Sequence, residues 1–582
     1  MVIFKALACD YDGTLASEDR LGPDALAALA KAREAGLRLI LVTGRTFFEL
    51  TRVCERLDLF DGVVAENGGV LYVPATAMIR ALAPPPPPRF LAALDRRGVA
   101  YQLGRVVVGT ARSQEAAVRA ALAEAGVQLE LVPNRAALMV LPAGISKGAG
   151  VRQMLPALGL SFHDVLALGD AENDLDLFDA CGWAGCPGSA VPELMRRADW
   201  TFPGEDGAAI ARAIVGPILN GLLPLDRSAR QRIALGWTAA TAASVSLPAR
   251  GINVLIHGDP LSGKSWLAGA LVERLHERRY ALCVIDPEGE YGGLARLAGV
   301  ILAEARDEAA VDAAFRHFER DPAACVVIDL STLGHAEKVR LIERSFLAVH
   351  EMRRRFGFPH WVVLDEVHYS LHREGVAERA LAIEDRGFCL VTYKPSWVRP
   401  SVMRAVDVVI LARTTASHEL AFLRSLLAEG GGSGGGGVLS ALAALPRGEF
   451  LLMQKDGTGA WAPLTFTATP RATAHVRHLK KYADVPVRPE HAFQFREPGG
   501  RWVARADSLN GFRRIVAAAD GAVLASHAGR GDFSRWVRDV FADPELAAQL
   551  RKAERRWSRG EFPDLRRVID DLIAARYWSE ES

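Results

Sequence analysis

Twice along this chain, short apolar runs rich in Val, Ile and Leu alternate with helical patterns. FKALACD, PDALAALAKAREAG and LRLILVTGR open the first series. The second begins at residue 251 with NVLIHG and a helix after GKS, then runs through ALCVID, CVVIDL, WVVLDE, FCLVTY and VDVVILAR. Strands that are apolar throughout are buried on both faces, and strands separated by helices pair in parallel. At 582 residues the chain is also too long for one core. The predicted fold class is α/β: two doubly wound parallel-sheet domains, followed by a small α+β C-terminal domain.

The first apolar run ends in ALACDYDGTL, which places Asp10 and Asp12 at the carboxyl end of a strand. Open α/β sheets bind ligands there. Of two such carboxylates, one can attack phosphorus while the other protonates the leaving oxygen and later activates water. The clustered negative charge needs a cation, and the transferring phosphoryl needs hydroxyl and ammonium partners. VTGR supplies Thr43 after another strand, GISKG supplies Lys147, and LALGDAENDLD ends a strand with Asp170 and Asp174. Any one of these motifs could be a turn or cap signal. The set of four in this order is far more specific.

This set resembles the haloacid-dehalogenase (HAD) superfamily of phosphatases. AENGG at 65–69, GISKG and GDAEND resemble its Cof-type, sucrose-phosphatase-like branch, and the resemblance runs from residue 1 to about 217. It implies a Rossmann-like core with an inserted α+β cap. It also implies Asp10 as nucleophile, Asp12 as general acid/base, and Thr43 and Lys147 on the phosphoryl oxygens. Asp10, the Asp12 carbonyl and Asp170 would bind Mg²⁺ with support from Asp174. Arg45, Glu66, Asn67 and Gly68 would face substrate, a small phosphorylated metabolite. The proline run Pro84–Pro88 opens the expected cap, residues 84–145, which reads as strands and one helix (QEAAVRAALAEAG). The core would then comprise residues 1–83 and 146–217.

In the second series, Gly258-Asp-Pro-Leu-Ser-Gly263-Lys264-Ser265 fits GxxxxGK[ST] between the strand INVLIH and the helix SWLAGALVERLHERR. Backbone N–H groups at that helix start would cradle the phosphates of ATP, with Lys264 on the outer phosphates and Ser265 on Mg²⁺. In WVVLDEVH, Asp365 would hold the Mg²⁺ shell and Glu366 would polarise an attacking water, which favours ATP hydrolysis over transfer to an acceptor. Asp286, Glu288 and Glu290 are either supporting carboxylates or a solvated acidic loop. Asp329 reads as a strand-end cap.

VIDPEGEY, VVIDLS, VLDEVH and VTYKPSWVRPSV, in this order, resemble the HerA-type translocase ATPases over about 230–465. The resemblance implies a RecA-like domain at 251–465, with lead-in strands at 218–250. It also implies a homo-oligomeric ring completed by a neighbour's arginine, for which Arg413 is the candidate here. Two features depart from the family. Tyr393 and Lys394 stand where it has Gln-Arg, and the phosphatase replaces its N-terminal β-barrel. Three readings stay open: a metabolite phosphatase joined to an ATPase, a nucleic-acid end-processing enzyme with translocase or 5′-kinase activity, and an ATP-gated phosphatase.

The remainder, 485–582, pairs aromatic strands with helices rich in Arg, Asp and Trp, and resembles a small helical domain of unknown function. Trp536 and Phe533 read as core. HVRHLKK at 475–481 and RKAERRWSRGEFPDLRR at 551–567 are basic, but the second is interleaved with acids and reads as a solvated face. A net charge of +1 gives no global drive towards nucleic acid, which stays open as a partner. No apolar run reaches membrane-spanning length, and the N-terminus meets charge too early for a secretory signal, so a cytoplasmic setting is expected. The seven cysteines lack zinc-site spacing and read as buried thiols. GGGSGGGG at 430–437 is either a surface loop or an engineered replacement for one.

Overall fold

The protein is described by a computed structural model covering residues 4–17, 19–225, 228–238, 241–260, 262–372, 381–428, 439–455, 460–473, 487, 489–541 and 543–577. The glycine run at 430–437 and the basic run at 475–481 lie outside the described residues.

The first sheet has 8 strands, ordered Trp200–Phe202, Trp183–Pro187, Val165–Leu168, Ala6–Asp10, Arg38–Val42, Gly62–Ala65, Val70–Val73 and Met78–Ala81. Pairing is parallel as far as Gly62–Ala65, after which the last two strands fold back antiparallel. The expected parallel, doubly wound core is present, and these two strands extend it with an antiparallel edge. A tight turn at Glu66–Gly68 replaces the crossover helix that a parallel neighbour would require. All five residues of Ala6–Asp10 are buried, as expected for a central strand covered on both faces.

The inserted segment forms its own antiparallel sheet, ordered Glu130–Asn134, Ala137–Leu141, Val108–Ala111 and Tyr101–Leu103. It carries two helices, Pro88–Arg96 and Glu115–Ala125, where the sequence predicts one. The additional helix begins with the last proline of the run, in the first turn, where a missing N–H costs nothing. Its Phe90, Ala93 and Leu94 pack on Val118, Ala121 and Leu138.

The second sheet has 11 strands. Val408–Leu411, Val254–His257, Phe388–Thr392, Trp361–Leu364, Leu282–Asp286, Cys325–Asp329 and Val300–Glu304 lie side by side and parallel. Beyond Val408–Leu411 come Glu449–Lys455, Trp461–Ala468, Arg232–Trp237 and Ser244–Pro248, all antiparallel. This sheet is mixed too, and two strands from the lead-in segment complete its edge. Hairpins join Glu449–Lys455 to Trp461–Ala468 and Arg232–Trp237 to Ser244–Pro248, whereas the other two antiparallel pairings bring together strands distant in sequence.

The C-terminal part folds a hairpin, Phe493–Arg496 with Trp502–Ala506, against helices that end with Leu565–Tyr577. Phe493, Phe512, Phe533 and Trp536 form its aromatic core, and the Trp536 indole donates to the His491 carbonyl at 2.8 Å. The seven cysteines are all free and buried. Among the described residues no helix is long and apolar enough to cross a membrane.

Candidate active sites

The carboxyl ends of Ala6–Asp10 and Val165–Leu168, adjacent parallel strands, bring the first acidic cluster together. Carboxylate oxygens of Asp10, Asp170 and Asp174 lie within 4.8 Å of one another, all three side chains being buried. Lys147, at the start of the helix Lys147–Leu158, joins two of them: its Nζ lies 2.6 Å from Asp10 Oδ1 and 2.7 Å from Asp174 Oδ1. Asp174 Oδ2 accepts from the backbone N–H groups of Asp170 and Ala171 at 3.1 Å, which fixes the turn that presents Asp170.

Charge in this cluster is unbalanced. Burial, reinforced by Asp174, drives the Asp10 carboxyl well above its ordinary value against the pull of Lys147. Burial also lowers the Lys147 ammonium, yet Asp10 and Asp174 outweigh it and the net shift is upward. Asp170 is raised by burial and by Asp174. Three buried carboxylates facing the Lys147 ammonium and one guanidinium from the cap still leave an excess of negative charge, an oxygen-rich pocket that suits a hard divalent cation such as Mg²⁺.

The other expected residues divide into two groups. Thr43 is fully buried on the neighbouring strand end, its Oγ1 accepting from the Arg45 N–H at 3.1 Å. Asn67 Oδ1 accepts from Nδ2 of Asn173, the residue before Asp174, at 3.3 Å. Asp12 turns away from the three buried carboxylates and takes the Arg45 guanidinium, Nε at 2.8 Å and Nη2 at 2.6 Å. Arg45 is thus committed to Asp12 and Asp19, in place of the expected substrate contact.

Glu66 and Gly68 also depart from the substrate-facing expectation. The Glu66 carboxylate accepts from the N–H groups of Arg105, Val106 and Val107 at 3.0, 2.8 and 3.3 Å, and from Phe47 at 3.4 Å. It ties the turn between the cap strands Tyr101–Leu103 and Val108–Ala111 to the core. A Cβ at Gly104 would stand 2.5 Å from that carboxylate, so glycine is needed there. Gly68, at φ +103°, lets its backbone close on the loop before Lys147, where a Cβ would come within 1.8 Å of the Ser146 carbonyl oxygen.

Two groups escaped the sequence reading. The Thr14 hydroxyl donates to Asp170 Oδ1 at 2.9 Å. Arg135, from the cap, places its guanidinium on Asp170 Oδ2. Thr14 is quoted within the first motif, whereas nothing local to VPNRAAL marks Arg135.

In the second sheet, Gly263 at φ +101° turns the strand Val254–His257 into the helix Lys264–Glu277. The Lys264 ammonium folds back onto the Asp259 carbonyl at 2.9 Å, inside the loop that would wrap phosphates. Asp259 is held in turn by the Thr415 N–H at 2.8 Å and hydroxyl at 2.7 Å. Asp365 ends a strand separated from Val254–His257 by one intervening strand, and the Tyr291 hydroxyl donates to it at 3.1 Å. Glu366 beside it is buried in a left-handed conformation, φ +48°, and its Oε2 lies 3.4 Å from His368 Nδ1. A non-glycine residue held there is strained, which is common where function dictates geometry.

The carboxylates of PEGEY are buried, which removes the solvated-loop alternative. Asp286 accepts from the N–H groups of Glu288, Gly289, Glu290 and Tyr291, and burial still pushes it up to about 8. Glu288 pairs with Lys338 at 2.9 Å. Asp329 caps the following turn through the Ser331 N–H at 2.8 Å. Tyr393 stands 5.9 Å beneath the Lys264 ammonium and packs on the C-terminal core. Arg413, the candidate neighbour's arginine, is adjacent to this chain's own loop, its carbonyl accepting from the Asp259 N–H at 2.9 Å.

Residues 7–83 and 112–214 match the family described as haloacid dehalogenase-like hydrolase, and residues 258–351 match the central domain of helicase HerA. Over 220 residues the chain is 31% identical to a phosphoglycolate phosphatase of Methanothermobacter thermautotrophicus, which spans 36% of this chain and 97% of that protein. The phosphoglycolate phosphatase of Haloarcula marismortui is 31% identical over 219 residues, covering 36% and 95%. A solved haloacid dehalogenase-like hydrolase from Bacteroides thetaiotaomicron is 17% identical with a TM-score of 0.33, covering 36% of this chain and 98% of that one.

Proposed function

The chain belongs to the haloacid dehalogenase-like hydrolases through residues 7–83 and 112–214 and carries a HerA-like domain behind them, and we propose that it is a bifunctional hydrolase, a Mg²⁺-dependent phosphomonoesterase joined to an ATPase. The observation that carries the first activity is Lys147 bridging Asp10 and Asp174 within the buried carboxylate cluster.

In this reading an Asp10 oxygen attacks phosphorus as the ester P–O bond breaks. Asp12 gives the leaving oxygen a proton. Asp12 then takes a proton from water, whose oxygen attacks the aspartyl-phosphate and releases phosphate and free Asp10. Lys147 and Thr43 hold the phosphoryl oxygens, and Asp12 has to leave Arg45 and swing towards Asp10 to act. Asp10, Asp170 and Asp174 would hold Mg²⁺, which would offset the charge of carboxylate and phosphoryl together. The cap sits over the core, Met139 filling the space where a Cβ on Gly44 would be. That closure favours a small phosphorylated metabolite, and 2-phosphoglycolate is the first substrate to try.

For the second site, Lys264 and Ser265 would engage ATP and its Mg²⁺, Asp365 would support the metal, and Glu366 would orient water. Buried Glu366 next to Asp365 is what supports hydrolysis over transfer.

A crossed pair of variants tests both halves. Asp10→Asn is expected to lose 2-phosphoglycolate hydrolysis and keep ATP turnover, and Lys264→Ala the reverse. Retained phosphatase activity in Asp10→Asn would overturn the first assignment, and retained ATP turnover in Lys264→Ala the second.

A further inference from the structure

Arg135 occupies the two-residue turn between the cap strands Glu130–Asn134 and Ala137–Leu141, at φ +50°. That hairpin is the part of the cap that meets the acidic cluster. Its Met139 seats on Gly44, the Arg135 N–H donates to Glu172 Oε2 at 3.3 Å, and the Arg135 guanidinium pairs with Asp170. Among the described residues Arg135 is the one cap side chain ion-paired with a carboxylate of the core cluster. Its side chain is 55% exposed while that of Asp170 is 1% exposed, so the guanidinium reaches in from the mouth of the site.

This pairing conflicts with the site's proposed chemistry. Thr14 already takes Asp170 Oδ1, and Arg135 takes Oδ2, the remaining oxygen. A divalent cation held by Asp170 would compete for that oxygen and repel the guanidinium. Once released, the guanidinium stays anchored by the turn at the edge of the site. There its planar pair of donors matches a carboxylate in bidentate geometry.

We propose that Arg135 is the specificity residue of the phosphatase site: it rests on Asp170 before the cation is held, then transfers to a carboxylate carried by the substrate close to the phosphate ester. This rests on the phosphatase reading above and deepens it. The substrate class is a short phosphomonoester bearing a carboxylate, and Arg135 links cation binding to recognition of that group.

The test compares the wild-type protein with Arg135→Ala and Arg135→Lys. For each, kcat/KM is measured on 2-phosphoglycolate and on ethyl phosphate, which replaces the carboxylate by a methyl group. Mg²⁺ affinity is measured by calorimetry without substrate. The wild-type preference for 2-phosphoglycolate is expected to fall at least about 10-fold in Arg135→Ala, the size of a lost charged hydrogen-bond pair, and to be partly restored in Arg135→Lys. Mg²⁺ is expected to bind Arg135→Ala several-fold more tightly, a competitor having been removed. An unchanged preference ratio, or Mg²⁺ affinity that stays equal or weakens, would overturn the proposal and leave the phosphatase assignment standing. A wild-type protein inactive on both esters would overturn the assignment and the proposal together.

Discussion

His360 Nε2 lies 3.1 Å from Asp164 Oδ2, and this fully buried pair joins the two sheets at their amino-terminal edges. Asp164 immediately precedes the strand Val165–Leu168, which leads to Asp170. His360 immediately precedes Trp361–Leu364, which leads to Asp365 and Glu366. Arg250 adds a 2.6 Å contact to Asp164, and His163 stacks on Tyr280 with ring centroids 3.6 Å apart. Gly357, at φ +94°, leaves room for this junction, since a Cβ there would stand 2.9 Å from the Asp164 carboxylate. The strands bearing the two candidate sites thus start from one ionic cluster and run outward from it.

Asp164 is the buried counter-charge of Arg250, and removing one partner of a buried ion pair leaves an uncompensated charge, at a cost of about 3–5 kcal/mol. Asp164→Ala is therefore expected to lower the urea midpoint and to reduce both phosphatase and ATP turnover. A variant that unfolds like the wild type, or loses one activity alone, would contradict the shared role of the junction.

The Asp164 carboxylate also predicts an acid dependence. Burial pushes the Asp164 carboxyl up, but His360 and Arg250 outweigh it and hold it at about 2. A carboxylate with a depressed folded-state value contributes stability above its unfolded value, roughly 4, and loses it as pH falls through about 2. The part of the stability gap between wild type and Asp164→Asn that comes from this carboxylate should shrink as pH falls below about 4. Denaturant unfolding at stepped pH values measures this.

Glu66 is expected to control cap attachment. Glu66→Ala would strip the backbone N–H groups of Arg105, Val106 and Val107 of their acceptor, and each buried donor left alone costs about 1–3 kcal/mol. Faster amide exchange at 105–107 and a raised KM should follow, with the exchange of the strand Ala6–Asp10 little changed. Uniform loss of protection across the core would show that Glu66 supports the whole domain.

Thr14 touches the proposed cation site only through Asp170. Groups that orient a metal ligand typically affect affinity by about 10–100-fold. Thr14→Val should shift the Mg²⁺ activation curve to at least about 10-fold higher concentration while a chelator abolishes activity in both proteins. Identical activation curves would exclude that orienting role.

What could be read from the sequence is what neighbouring residues encode. An apolar strand followed by Asp-x-Asp-Gly, or by Gly-Asp-x-x-x-Asp, places its carboxylates at a strand end by local geometry alone. Asp10, Asp170, Asp174 and Lys147 do meet there, and Lys264 does open a helix after a glycine turn. The central strands were legible for the same reason, being apolar throughout. The antiparallel edges were less so, because pairing direction depends on the connections and neighbours a strand finds. Arg135 on Asp170, Glu66 under the cap and Asp164 against His360 all span segments distant in sequence. Such contacts leave no periodicity or spacing to read. They exist because the cap closes on one sheet and that sheet abuts the other, which brings buried charges close enough that each needs the partner it found.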